Sequence, residues 1–239
     1  MDLFKRFSDY DVFAYLPQGF LALAAVDYLF ATNFVLNGGW DVPKGFLIMF
    51  GAYIIGHLIA SPSSKIIEKW VVRGFMKQPA THLLTSKTTP WVLRVIFADY
   101  YTPLSEPLRR EVLNKMGSED PDRIPGETLF WKAYPLAKRD EHAKDRMGSF
   151  INLYGFCRNV CFVSGLTALT LFVQLGWGKW VSHIPPDNEK IAVAVILSIV
   201  SFMMFQRYLK FHRLYSVEVF TTFAKVAPTP PAHAGKQEE

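Results

Sequence analysis

From Gly45 to Ala60 the chain carries no formal charge: the stretch reads GFLIMFGAYIIGHLIA, and His57 is its only side chain of a type that titrates near neutral pH. No other feature restricts the fold as much. A run this apolar satisfies both its side chains and its backbone in a helix surrounded by lipid. A crossing takes about 20 residues, and Val42 and Pro43 before the run and Ser61 after it complete one. Ser61-Pro62-Ser63-Ser64 then breaks the pattern, and KIIEKWVVRGFM follows. There Ile66, Ile67, Trp70, Val71 and Phe75 recur near helical spacing, while Lys65, Glu68, Lys69 and Arg73 fill the other positions. This pattern predicts an amphipathic helix lying against the membrane surface or beneath the spans.

Three further apolar runs read as spans. The first extends from Val12 to Leu36, with Pro17 suited to a first helical turn, so a regular helix is expected from near Leu16 to Leu36. Gly38-Gly39-Trp40 is then the turn into the Gly45 span, with Trp40 at the interface. A third span is expected from Phe150 to Trp177, and a fourth from Glu189 to Phe205 with Asp187 or Asn188 as its cap. The helical pattern of the fourth continues without a breaker through residues 206–225, which places Arg207, Lys210 and Arg213 just beyond the membrane. Between 77 and 150, prolines cut the chain into short helices. Ser105-Glu106-Pro107 opens one of them, and ETLFWKAYPLAKRDEHAKDRM reads as two pieces broken near Pro135.

The fold class that follows is all-α: a multipass membrane helical bundle of four spans with a short helical cytoplasmic segment. Its expected parts are an N-terminal transmembrane hairpin over 1–61, a cytoplasmic helical segment over 62–149, and a C-terminal transmembrane hairpin over 150–206. A cytoplasmic helical extension over 207–227 and a disordered tail over 228–239 complete the chain. The 239 residues carry a net charge of +5, and the two expected outer loops hold only Lys44, Lys179 and Lys190. The remaining Lys and Arg concentrate in the N-terminus, the middle and the C-terminal extension. By the positive-inside rule both termini are therefore cytoplasmic, in a bacterial inner membrane. The N-terminus reads as an uncleaved first span rather than a signal peptide. Cys157 and Cys161, the two cysteines, stand one turn apart in a span and make neither a disulfide framework nor a zinc spacing. They read as small packing residues.

Four residues in or near the spans are candidates for lining or gating a pore: Asp27, Arg158, Asn159 and His57. A carboxylate deep in a bilayer costs about 2.5–3.5 kcal/mol, so Asp27 is expected to face a bundle interior, a water-filled path or a partner charge. Its other reading is a neutral group hydrogen-bonded inside the bundle. Arg158, two turns inside the third span, can snorkel to the interface, pair with Glu68 or Asp11, or select anions. His57, alone on an apolar helix, suits packing better than ligation, because no second histidine stands at metal-binding spacing. In the polar middle Arg109, Arg110 and His142 are candidate sensors of a cytoplasmic signal. Asp140, Glu141, His142 and Asp145 are close enough for acid–base work, although a charged helix surface looks the same. No nucleotide-binding loop, nucleophile elbow or zinc-protease motif occurs, and no catalytic residue, metal or cofactor is assigned.

Three phrases, AYIIGHLIASPSSKIIEKW, SFINLYGFCRNV and DVFAYLPQGFLAL, resemble small multipass bacterial inner-membrane proteins of unassigned function. Some of those are encoded near phage-defence genes, where small membrane proteins act as oligomeric pores. The resemblance covers the spans and leaves most of 77–140 unmatched. It implies a channel-like effector by analogy of architecture. The function expected from the sequence is thus a non-enzymatic inner-membrane protein that self-associates into an ion channel or pore, gated by a cytoplasmic signal. Its expected partners are the lipid bilayer, further copies of itself, and a cytoplasmic protein or small-molecule signal; no nucleic acid is evident. The alternatives are a membrane scaffold that recruits a soluble partner and a membrane enzyme acting on a lipid-like substrate.

Overall fold

The computed structural model describes residues 9–36, 39, 41–85, 90–117, 126–181 and 187–226. Gly38 and Trp40 of the expected turn and the tail over 228–239 lie outside the described residues. The described chain is all-helical. It comprises α1 (Asp9–Phe30), α2 (Val42–Ser63) continuing into a π-helical segment (Ser64–Met76), α3 (Pro79–Leu84), α4 (Trp91–Ile96) and α5 (Ala98–Tyr101). It continues through α6 (Glu106–Lys115), α7 (Gly126–Ala137), α8 (Glu141–Val181) and α9 (Asn188–Val226). Three helical stretches among the described residues are long and apolar enough to cross a membrane: Val42–Leu84, Glu141–Gly178 and Asn188–Val226. Large apolar side chains stand outward along them, among them Phe50, Leu58, Leu169, Val173, Ile196 and Met203.

Local signals set the helix ends. Asp41 caps α2, its Oδ1 accepting from the Lys44 N–H at 2.8 Å, and Pro43 occupies the first turn. Asp187 caps α9 by accepting from the Glu189 N–H at 3.0 Å, one of the two caps expected there. Helix α6 begins at Glu106 with Pro107 in its first turn. Pro135 lies inside α7, and the break before α8 comes at 138–140, a turn beyond that proline.

The first helix departs from expectation at both ends. Pro17 sits inside α1 rather than in its first turn, and the helix ends at Phe30 rather than at Leu36. Ala31 and Asn33 then adopt left-handed φ values of 51° and 57°. The reason is Asp27. Its carboxylate accepts from the Thr32 hydroxyl and from the backbone N–H groups of Phe34, Val35 and Leu36 at 2.8, 3.1 and 2.8 Å. An acid in the last turn of a helix thus folds the following residues back around itself, and the run over 31–36 is a loop despite its apolar composition.

The chain divides into two compact units, Met1–Phe75 with Asn152–Leu209, and Met76–Ile151 with Lys210–Glu239. In the first unit α1 and α2 pack as an antiparallel hairpin through small residues. A Cβ built on Gly19 would lie 1.7 Å from the Ala52 carbonyl oxygen, and one on Gly56 would lie 2.0 Å from that of Tyr15. Close backbone approach at these small residues supplies the packing of the hairpin.

The second unit has its own apolar core. Leu83 and Leu84 of α3, Val112 and Leu113 of α6, and Leu129 and Phe130 of α7 meet Met147 on α8 and Val219, Phe220 and Phe223 on α9. Arg146 donates to Glu218 Oε1 from Nε at 3.1 Å and from Nη2 at 2.7 Å, and Lys115 Nζ donates to the Ala224 carbonyl. The separate segment and extension expected from the sequence therefore share one core, and the apolar face of α9 beyond Lys210 is used for packing within this unit. Replacing Gly56 by Leu should separate the α1–α2 hairpin and lower the unfolding temperature of the purified protein by several degrees. Gly45→Leu, at a position where a Cβ meets nothing within 4 Å, should leave that temperature unchanged.

Candidate functional site

The site begins with Pro62. Proline has no N–H for the carbonyl four residues earlier, and its ring crowds that carbonyl. Directly after it the helix widens into π winding over Ser64–Met76. The consequence is a change of face. In an α-helix nine residues turn about 900°, which puts Ser64 and Arg73 on opposite sides. With i→i+5 hydrogen bonds a turn takes roughly 4.4 residues, so nine residues make close to two turns and the same two side chains share a side. Burial follows the wider period: Ser63, Ile67 and Val72 are buried, at spacings of four and five. Of the apolar face expected from α-helical spacing, only Ile67 is inside. Ile66, Trp70, Val71 and Phe75 are exposed.

This winding brings Glu68 to Arg158. Arg158 Nη1 donates to Glu68 Oε2 at 2.9 Å, and the two side chains are only 12% and 20% exposed. The same carboxylate accepts from Ser64 Oγ at 3.2 Å and pairs through Oε1 with Arg73 Nη2 at 3.5 Å. On the other side Arg158 Nε donates to Asn159 Oδ1 at 3.3 Å, and that oxygen also accepts from the buried Ser63 hydroxyl. The result is one connected network: two arginines, one carboxylate, an amide and two hydroxyls. It joins the end of α2 and the π segment to α8. Further along α8, Ser201 Oγ of α9 donates to the Cys161 carbonyl at 2.9 Å. Both cysteines are buried and free, as packing residues would be.

The other candidates are dispersed. Asp27 accepts its hydrogen bonds from residues 32–36 of its own loop. His57 stacks on Tyr15 with ring centroids 3.9 Å apart and meets Tyr53 edge-on at 4.6 Å, so its ring belongs to the α1–α2 hairpin. Arg109 and Arg110 both pair with Glu106 on the surface of α6, at 3.5 and 2.9 Å. His142 is exposed in the first turn of α8, and Asp140 caps that helix by accepting from the Ala143 N–H at 2.9 Å. Among the described residues no group of three His, Cys, Asp or Glu side chains is placed to hold a metal.

Sequence reasoning named Arg158 and Asn159 and offered Glu68 as a partner, but left Glu68, Ser63 and Ser64 out of the site. The signal was present in the serines between an apolar span and a glutamate. Gln18 was missed altogether: its side chain is fully buried in the first unit and its amide has no hydrogen-bond partner among the described residues.

Breaking a fully buried pair costs about 3–5 kcal/mol, and less is expected for this partly buried one because Arg73 still pairs with Glu68, whereas removing both charges avoids most of that penalty. Arg158→Gln should therefore destabilise the first unit, and Glu68→Gln added to it should restore much of the loss. A double-mutant cycle by thermal unfolding in detergent measures the coupling; additive effects would show that the pair is energetically idle. No family model, curated protein or solved structure matches the chain.

Proposed function

We propose that this chain is a non-enzymatic protein of the bacterial inner membrane that assembles with copies of itself into an ion-conducting pore. In this reading α1 is a fourth crossing, both termini are cytoplasmic, and the second unit receives the cytoplasmic signal. The observation that carries the proposal is the Glu68–Arg158 pair with its shell of Ser63, Ser64 and Asn159. Ionisable groups inside a helical membrane bundle are costly, and they mark ion pathways and gates by default. A pair that links two helices can open when one partner is drawn away, and the freed arginine or glutamate then faces the path. Asp27 serves this reading as the clamp that fixes the α1 loop.

A second reading, a scaffold that holds a soluble partner at the membrane, is favoured by the second unit's own hydrophobic core. Ion flux separates the two. Wild-type protein in sealed liposomes should conduct weakly without a signal. Arg158→Gln should raise that flux, and the exchange Glu68→Arg with Arg158→Glu should return it toward the wild-type level. If folded wild type and Arg158→Gln both leave vesicles as tight as empty ones, the pore is excluded and the scaffold stands.

A further inference from the structure

The π winding creates a second feature, on the outward side of the same segment. An open hollow of about 430 Å³ is lined by Ser61, Ser64, Lys65, Glu68, Lys69 and Arg73. We propose that this hollow binds the phosphate headgroup of an anionic phospholipid. The inference goes beyond pore formation and does not depend on it.

Three observations support it. The first is charge. Lys65 and Lys69 supply two cations at an exposed surface beside Arg73, and the one carboxylate among them, Glu68, already receives Arg73, Arg158 and Ser64. The field left over is positive, and the Ser61 hydroxyl stands in the lining as a further donor for phosphate oxygens. The second is depth. The uncharged stretch ends at Ala60, and Lys65 comes one helical turn after Ser61. The hollow therefore begins where an apolar helix gives way to basic residues, the level at which headgroups lie. The third is exposed apolar surface close by in sequence. Leu58 before the hollow and Trp70 within the segment are both 67% exposed, and Ile66 is exposed as well. A ligand with a phosphate at one end and acyl chains at the other meets both kinds of surface, whereas free phosphate uses only the first. Tight winding would not present this face, because Ser64 and Arg73 would point to opposite sides.

The test uses the full-length protein in detergent micelles with dansyl-labelled phosphatidylglycerol, read by energy transfer from the protein's tryptophans. Unlabelled phosphatidylglycerol should displace the probe, while phosphatidylcholine and inorganic phosphate should not. Lys65→Gln with Lys69→Gln should weaken binding roughly 30-fold. Lys65→Arg with Lys69→Arg should keep it, and Lys132→Gln with Lys144→Gln, exposed positions in the second unit, should leave it unchanged. Equal displacement by phosphatidylcholine would reduce the interaction to apolar association and overturn the proposal. Displacement by inorganic phosphate alone would overturn the lipid as ligand. Loss of binding in the Lys132/Lys144 variant, with none in Lys65/Lys69, would move the site elsewhere.

Discussion

The first unit depends on a charge that had to be answered. Arg158 lies two turns beyond Phe150, where α8 has become largely apolar, and a mostly buried guanidinium there needs a partner. Glu68 is that partner, held at 2.9 Å with Ser64, Ser63 and Asn159 around the two heads. Because Glu68 belongs to the continuation of α2 and Arg158 to α8, the pair fixes how these two elements meet. The small-residue contact of Gly19 and Gly56 with facing carbonyls then fixes α1 against α2. One electrostatic and one steric constraint thus fix α8 and α1 against α2 and its continuation.

The helix after Pro62 shows how one residue redirects a surface. A pattern that reads as a basic, amphipathic α-helix becomes a wider helix, and its faces are reassigned. Ile67 and Val72 go inward, Trp70 and Phe75 outward, and Ser64, Glu68 and Arg73 align. Wide π turns occur often at functional sites. Here the widened segment carries both the acidic partner of Arg158 and the basic hollow. A single local change in winding thus serves an inward and an outward site.

The second unit is built around a hydrophobic core. Its core is made from Leu, Val, Phe and Ala on five helices, with the ion pair of Arg146 and Glu218 on its surface. Continuous helices carry the chain from one unit to the other, in α8 across Ile151 and Asn152 and in α9 across Leu209 and Lys210. No breaker interrupts α9 between its apolar start and its basic end.

The sequence alone determined the all-helical class, the apolar runs over Val42, Phe150 and Glu189 onward, a cap at Asp187 or Asn188 and the unbroken continuation of α9. These are local matters: composition sets which helices tolerate lipid, and a side chain beside its own backbone sets where a helix begins. Tertiary structure decided the rest. The run over 31–36 was as apolar as a span, yet Asp27 offered its backbone N–H groups better acceptors than a helix did. The face of residues 64–76 followed the π period and not 3.6, since winding answers to Pro62 and to burial of Ser63, Ile67 and Val72 rather than to propensity. Residues 76–151 and 210–226 share a core that no spacing announces, because the partners stand far apart in sequence. Arg158 had more than one candidate acid, and only packing of the π segment on α8 could choose Glu68, for a charge pair is fixed by distance in space and leaves no period in the chain.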